Sequence, residues 1–443
     1  MTLTVAVVGG GISGTLTVLQ LVKQSRVAVS IIWFDSQNKF CKGYAYTTFD
    51  EQHLLNVRAA NMSVFADEPF HFTDWLKQYH SNYTPFDFVP RKLYGEYVFD
   101  TFEKLKHTNP LVSISQISEE VKSINKIDTN FNVTANKTYL AKKVILAFGN
   151  FLPAHPSSLS KEFITSKNYF QNPFNVKLTN NLQKVKNITI IGSGLTMLDV
   201  IVSLSHYNYK GSINVISPHA YIPQIHPEIS LPSVNSFINN DKTYTLNELV
   251  SLVNKELKKA KKEHLNLHSV IDLMRPHVQR IWLKFSLKEK QQFLRHLRHK
   301  WGVARHRAPL QSMTVFNNLK ASHQLTLLKG RIFDIKTTEM GFELHYSNST
   351  NHQLTLKTDI IVNCTGPECN YSKLTSPLIQ SLLKNGDISP DSLNYGLNTR
   401  KDGQLKPNMF TLGPPLKGIL WESVAVPEIR VQAQELAAKI ICD

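Results

Sequence analysis

Val5-Ala6-Val7-Val8-Gly9-Gly10-Gly11-Ile12-Ser13-Gly14 is an apolar, Val-rich run that passes straight into Gly-x-Gly-x-x-Gly, and Thr15-Leu16-Thr17-Val18-Leu19-Gln20-Leu21 continues it as the first turns of a helix. Strand, tight glycine turn and helix together cradle a dinucleotide pyrophosphate. Gly9 allows the turn, Gly11 lets the backbone approach the phosphates, and Gly14 lets helix and strand pack closely. The helix N-terminus adds free N–H groups and a partial positive charge. A second apolar run, Val29-Ser30-Ile31-Ile32-Trp33-Phe34, ends at Asp35. Its carboxylate stands about 20 residues beyond the glycines, at a strand tip suited to a ribose 2′-hydroxyl.

The theme recurs. Asn187-Ile188-Thr189-Ile190-Ile191 reads as a buried strand, and Gly192-Ser193-Gly194-Leu195-Thr196-Met197 as a glycine turn entering a helix. Met197 stands where a third glycine would be, which predicts looser packing of helix on strand. The next strand, Ser212-Ile213-Asn214-Val215-Ile216, is followed by Ser217-Pro218-His219. No carboxylate stands there to repel a 2′-phosphate, so NADPH is expected over NADH, although no arginine is adjacent.

Just after Asp35, within the first unit, Lys42-Gly43-Tyr44-Ala45-Tyr46, His53-Leu54-Leu55-Asn56-Val57 and Asn61-Met62-Ser63 interleave aromatic and small polar residues without a helical or strand period. An isoalloxazine ring needs such a wall. A flavin nucleotide in the first unit and a passing nicotinamide nucleotide in the second is the organisation of an FAD enzyme reduced by NAD(P)H. The expected fold is α/β with two Rossmann-like dinucleotide-binding domains: residues 1–150 with 395–443 for FAD, and 151–394 for NAD(P)H. The runs Val144 to Gly149 and Thr358 to Gly366 close the two units.

A helical insertion at about 220–312 interrupts the second domain, with its helices between 245 and 307. It is dense in Arg295, His296, Arg298, His299, Arg305, His306 and Arg307. That face either binds an anion or is simply solvated. Its histidines lack acidic or cysteine partners at ligand spacing, so no metal is expected.

The 443 residues suit two or three domains, and a net charge of +16 is compatible with anionic cofactors and an anionic small-molecule substrate. Without a basic tail or nucleic-acid module, nucleic acid is not an expected partner. No apolar run reaches the roughly 18 residues of a bilayer span. Cys41, Cys364, Cys369 and Cys442 are too few and scattered for a disulfide framework, which points to a reducing, cytoplasmic setting. Nothing in the residues indicates an oligomeric state.

Gly43-Tyr44-Ala45-Tyr46, His53-Leu54-Leu55-Asn56-Val57, Met62-Ser63, Trp301 with Arg305-His306-Arg307, and Trp421-Glu422 with Ala425-Val426-Pro427-Glu428-Ile429-Arg430 carry a further signal. Together they resemble a bacterial FAD/NAD(P)-binding oxidoreductase family, distantly similar to flavin N-hydroxylases and Baeyer–Villiger-type monooxygenases. The resemblance implies FAD bound by Gly9, Gly11, Gly14 and Asp35, and NAD(P)H near Gly192 and Gly194. Further cofactor contacts are expected from Ile12, Ser13, Ser36, Asn56, Val57, Met62, Ser63, Gly149 and Gly413, and from Leu195, Thr196, Ser217 and His219. Two departures stand out. Gly413-Pro414 replaces the Gly-Asp common in related flavoproteins, and Ala147-Phe148-Gly149 replaces Ala-Thr-Gly.

The expected activity is a monooxygenase-like hydroxylation of a small molecule through a peroxyflavin, with O₂ as acceptor. His53 and Glu422 are the candidate catalytic residues, each with a structural role as the alternative. Two other functions fit the motifs. One is a reductase of a disulfide or electron carrier, for which Cys364 and Cys369 have a suggestive spacing but an unfavourable location. The other is a non-catalytic nucleotide-binding scaffold.

Overall fold

A computed structural model describes residues 2–156, 161–227 and 234–442. The chain opens with β1 (Leu3–Val8), α1 (Ile12–Gln24), β2 (Val29–Phe34), α2 (Gly43–Tyr46), α3 (His71–Tyr79), α4 (Arg91–Leu105) and β3 (Val112–Ile117). The meander β4 (Ser123–Ile127), β5 (Asn130–Thr134) and β6 (Thr138–Ala141) then leads into β7 (Lys143–Leu146). β2 and β7 flank β1 in parallel, with Val8 opposite Phe34 on one side and Leu146 on the other. Val5, Ala6 and Val7 are fully buried, because a parallel sheet covered on both faces needs continuous apolar strands rather than alternation.

The second domain holds α5 (Lys161–Thr165), β8 (Tyr169–Phe170), β9 (Asn187–Ile191), α6 (Leu195–His206) and β10 (Ser212–Ser217). Among the described residues five α-helices follow: α7 (Leu246–Lys262), α8 (Leu267–Met274), α9 (Val278–Lys284), α10 (Leu287–His296) and α11 (Arg298–Arg305). Then come α12 (Leu310–Ala321), β11 (Leu325–Thr338), β12 (Gly341–Asn348), β13 (Gln353–Thr358) and β14 (Ile360–Asn363). The sheet order is β13-β12-β11-β10-β9-β14-β8. Its β11-β10-β9-β14 segment repeats the β3-β2-β1-β7 order of the first sheet. In each, the chain leaves the central strand to one side and later returns on the other, which opens a crevice at the strands' C-terminal ends.

The last segment contains α13 (Pro377–Lys384), β15 (Gln404–Lys406), β16 (Met409–Thr411) and α14 (Val426–Cys442). β16 pairs with β7 and completes the first sheet, in the order β15-β16-β7-β1-β2-β3. α14 packs on α1, with Ala433, Ala437 and Ile440 in one core with Leu16 and Leu19. Return to the first core comes before residue 395: Tyr371, Leu378 and Leu382 are buried with Ala6 and Val8. The reason is amphipathic α13, whose apolar face covers the side of the sheet opposite α1.

Helices α7 to α11 form their own apolar cluster, including Met274, Ile281, Trp282 and Phe285, and it takes in Trp421 from the C-terminal segment. α7 and α10 start at full capping boxes, Thr245 with Glu248 and Ser286 with Glu289, which fix where each helix begins. α12 belongs to the second sheet instead: Met313 and Phe316 pack with Met197 and Ile201 of α6. No helix among the described residues is long and apolar enough to cross a membrane.

Candidate cofactor clefts and their junction

The first crevice is a cleft of about 490 Å³ lined by Gly9, Gly10, Gly11, Ile12, Ser13, Asp35, Ser36 and Gly149, among others. Gly9 has φ +123°, and an added Cβ would sit 2.2 Å from the Ala147 carbonyl oxygen. A Cβ on Gly14 would sit 2.0 Å from the Gly9 carbonyl oxygen, so this glycine sets how closely α1 approaches β1. Gly11 differs: its Cβ would meet only Gly43 Cα, at 3.8 Å. The space above it belongs to the cleft. Beside it the buried Ser13 Oγ has no hydrogen-bond partner. An unpaired hydroxyl, an open glycine and a helix N-terminus in one crevice match the needs of a pyrophosphate.

Asp35 holds the loop together. One carboxylate oxygen accepts from the Gly10 amide at 3.1 Å, and the other accepts from the Gln37 and Lys39 amides at 2.9 Å each. Gly413 (φ +75°) is seated against the same turn, where a Cβ would be 2.8 Å from Ser13 Oγ. Its amide donates to Gln432 Oε1 at 2.8 Å, and the adjoining Pro414 lines the cleft.

The loop after Asp35 divides. Lys42, Gly43, Tyr44, Ala45 and Tyr46 line the cleft, whereas Asn56, Val57, Met62 and Ser63 do not. Met62 and Ser63 are buried beneath the loop, and the Ser63 hydroxyl donates to the Glu68 carbonyl at 2.7 Å. The Asn56 carbonyl faces His226 Nε2 at 2.9 Å. Leu54 bridges to Pro90, which ties this stretch to the start of α4.

The second crevice is larger, about 790 Å³, and includes Ser193, Gly194, Leu195, Thr196, Ser217 and His219. Gly192 (φ +103°) packs against the Cys364 carbonyl, 2.4 Å from its would-be Cβ, while Gly194 has nothing within 4 Å. Met197 at the third position is fully buried in the domain core. At the tip of β10, the Ser193 and Ser217 hydroxyls lie 2.8 Å apart. His219 stacks on Tyr221 and lies 5.0 Å, ring to ring, from His299.

Arg298, His299 and Arg331 join this cleft. No local sequence signal marks Arg331. It arrives by register, because Ser217 pairs with Lys329 on β11 and Arg331 follows two residues later. Burial, and then the nearby Arg298, His219 and Arg331, push the His299 imidazole down to about 4.

Of the basic run in the insertion, only part faces the cleft. Arg307 is tied to Asp272 through both guanidinium nitrogens at 2.9 Å. Arg305 is buried between Glu422 and Glu428. Glu422, in the left-handed region at φ +66°, accepts from Trp301 Nε1 at 2.7 Å, and its other oxygen lies 3.8 Å from His306 Nε2. Trp301, His306 and Glu422 all line the second cleft.

His53 lies elsewhere. It is 2% exposed, with Nε2 at 2.8 Å from Ser203 Oγ and 3.1 Å from the Asp199 carbonyl, where the first domain meets α6. It lines neither cleft. Cys364 is buried and Cys369 partly exposed at the second cleft, both as free thiols.

Thr196, Gly366, Pro367 and Val424 line both crevices. The clefts therefore meet at a shared wall made from the second domain and the C-terminal segment.

Residues 6–151 match the FAD-NAD(P)-binding family model. No curated protein matches the chain. Among solved structures it is similar to an ornithine N-hydroxylase from Kutzneria sp. 744, described with reduced FAD, NADP⁺ and L-ornithine: 13% identity, TM-score 0.66, and 99% of each chain covered. It is also similar to an FAD-bound cadaverine monooxygenase from Erwinia amylovora, at 12% identity and TM-score 0.68, covering 99% of this chain and 94% of the other. Bacillithiol disulfide reductase from Bacillus cereus follows at 13% identity and TM-score 0.59, covering 100% and 99%. At these identities the likeness is one of fold.

Proposed function

Starting from an FAD-NAD(P)-binding segment at residues 6–151 and a fold shared with flavin-dependent N-hydroxylases, we propose that the protein is an FAD-dependent, NADPH-reduced oxidoreductase that hydroxylates a small molecule. The observation that carries the proposal is the wall of Thr196, Gly366, Pro367 and Val424 common to both crevices. A hydride donor and its acceptor must come into contact, and this wall is where occupants of the two clefts would do so.

The residues fit both nucleotides. Gly11, the unpaired Ser13 Oγ and the N-terminus of α1 would hold the FAD pyrophosphate. Asp35 holds the turn that presents them. In the second cleft Gly194 and the start of α6 would receive the other pyrophosphate, with His219, Arg298, His299 and Arg331 available to a 2′-phosphate. The two arginines on that edge support NADPH over NADH. When bound, FAD supplies the two-electron chemistry and the activation of O₂, and NADPH supplies the hydride.

The chain's own part is to bind, orient and exclude water. Glu422 is held by Trp301 and Arg305, so its carboxylate is an anchored acceptor at the cleft wall. His306 beside it has its pKa lowered by desolvation, which the Glu422 carboxylate opposes, so the ring is held toward its neutral form at the cleft wall.

The reductase alternative draws on the likeness to bacillithiol disulfide reductase. Cys369 is accessible at the second cleft, but Cys364 is buried in the core. Mass spectrometry of products formed under ¹⁸O₂ separates the two. Incorporation of one labelled oxygen supports hydroxylation. NADPH consumption that is independent of O₂ and needs an added disulfide supports reduction.

A further inference from the structure

We propose that the helical insertion holds the body of the substrate and that this body is apolar, which rests on the hydroxylase assignment above. Helices α7 to α11 surround a space of about 280 Å³. Its walls include Leu249, Val253, Ile281, Phe293, Leu297 and Trp301, and among the described residues its only polar side chains outside the tryptophans, Asn254 and Lys300, are exposed. Among the described residues no carboxylate or guanidinium lines it. An amino-acid substrate would bring two charges that find no buried partner there. A hydrocarbon or aromatic body would meet only matching surface. An apolar cavity of roughly 150 Å³ takes up benzene, so this one suits a body about twice that size.

Its position ties the space to the redox junction. Trp301 and Trp421 line both this space and the second cleft. Trp301 is pinned by its hydrogen bond to Glu422, and Val424, two residues on, belongs to the wall shared by the two nucleotide clefts. A molecule seated among the helices therefore ends at Trp301 and Trp421, with its polar, reactive group directed past them toward Glu422 and His306. Phe293, Leu297 and Trp301 are only partly buried, as expected of groups whose covering is completed by a ligand.

The experiment titrates the flavin-loaded protein with n-alkylamines from butylamine to decylamine, with ornithine and lysine alongside, reading tryptophan emission. Trp282, Trp301 and Trp421 line the space and report its filling. Affinity is expected to rise about fourfold per added methylene until the space is full, with NADPH oxidation stimulated in the same order. Ornithine and lysine should do neither. Ala304→Phe and Val253→Phe each fill the space from a different helix, and each should weaken octylamine binding tenfold or more. Retained FAD content and circular dichroism serve as the folding check. Affinity that is flat with chain length, tighter binding of ornithine, or unchanged binding in both folded variants overturns the proposal. If the amines bind as expected but the protein does not take up FAD, the apolar space stands and the hydroxylase assignment falls.

Discussion

Arg91 of the first domain and Asp199 of the second form an ion pair, Nη2 to Oδ2, at 2.9 Å, with their side chains 15% and 10% exposed. Around it, Arg91 Nε donates to the Leu54 carbonyl, and Ser203 Oγ donates to Asp50 Oδ2 at 2.7 Å beside His53. Burial raises the Asp199 pKa, and Arg91 opposes that rise. This buried polar knot crosses from the loop after α2 and the start of α4 to α6, and so fixes how the two crevices face one another. Arg91→Met leaves Asp199 without its counter-charge and should cost about 3–5 kcal/mol. Urea unfolding measures it. Adding Asp199→Leu should recover part of the loss, because no unpaired charge then remains.

The glycines separate packing from binding. Gly14→Ala drives a methyl group against the Gly9 carbonyl, 2.0 Å away, and should prevent or severely weaken folding. Gly11→Ala and Gly194→Ala face open cleft, with backbone φ of −73° and −90° that alanine accepts. Both should keep wild-type Tm. Gly11→Ala should lose FAD affinity by tenfold or more, and Gly194→Ala should keep FAD but raise the KM for NADPH. Thermal melts and flavin content read all three variants.

At the second cleft, Arg331→Ala should weaken NADPH by about tenfold or more and leave NADH nearly unchanged, since a charge-assisted hydrogen bond contributes about 1.5–3 kcal/mol. Steady-state kinetics with both nucleotides provides the comparison.

Stability should fall with acid through His226. Burial pushes its imidazole down to about 4, while Nε2 lies 2.9 Å from the Asn56 carbonyl. The unfolded chain takes up that proton near pH 6.5. Between those values the unfolded state binds more protons, so stability declines as pH drops from 6.5 toward 4 and is insensitive to this group above 6.5. His226→Gln should make the decline shallower in denaturant melts across that range. His299, shifted in the same direction, leaves part of it in place.

The phosphate turns were legible because they are local: Gly9, Gly11, Gly14 and Asp35 fall within one strand-turn-helix-strand stretch whose spacing is fixed by backbone geometry. Asn56, Val57, Met62 and Ser63 shared the composition of a cofactor wall, but composition does not say which way a loop folds, and they lie outside the cleft. Arg331 has no such local signature, because strand register, not neighbouring sequence, carries it to the tip of β10. Arg305 and Arg307 read equally well as anion ligands or solvated charges. They are neither, being paired with Glu422 and Glu428 and with Asp272, partners 35 or more residues away. Trp421 likewise joins the insertion core from the far end of the chain.

The most direct test of the paired-cleft account is anaerobic addition of NADPH to the FAD-loaded protein, followed by stopped-flow absorbance. The account predicts saturable loss of the oxidised-flavin band, slowed or abolished in Gly194→Ala. A protein that takes up no FAD, or whose bound flavin stays oxidised at any NADPH concentration, would contradict it.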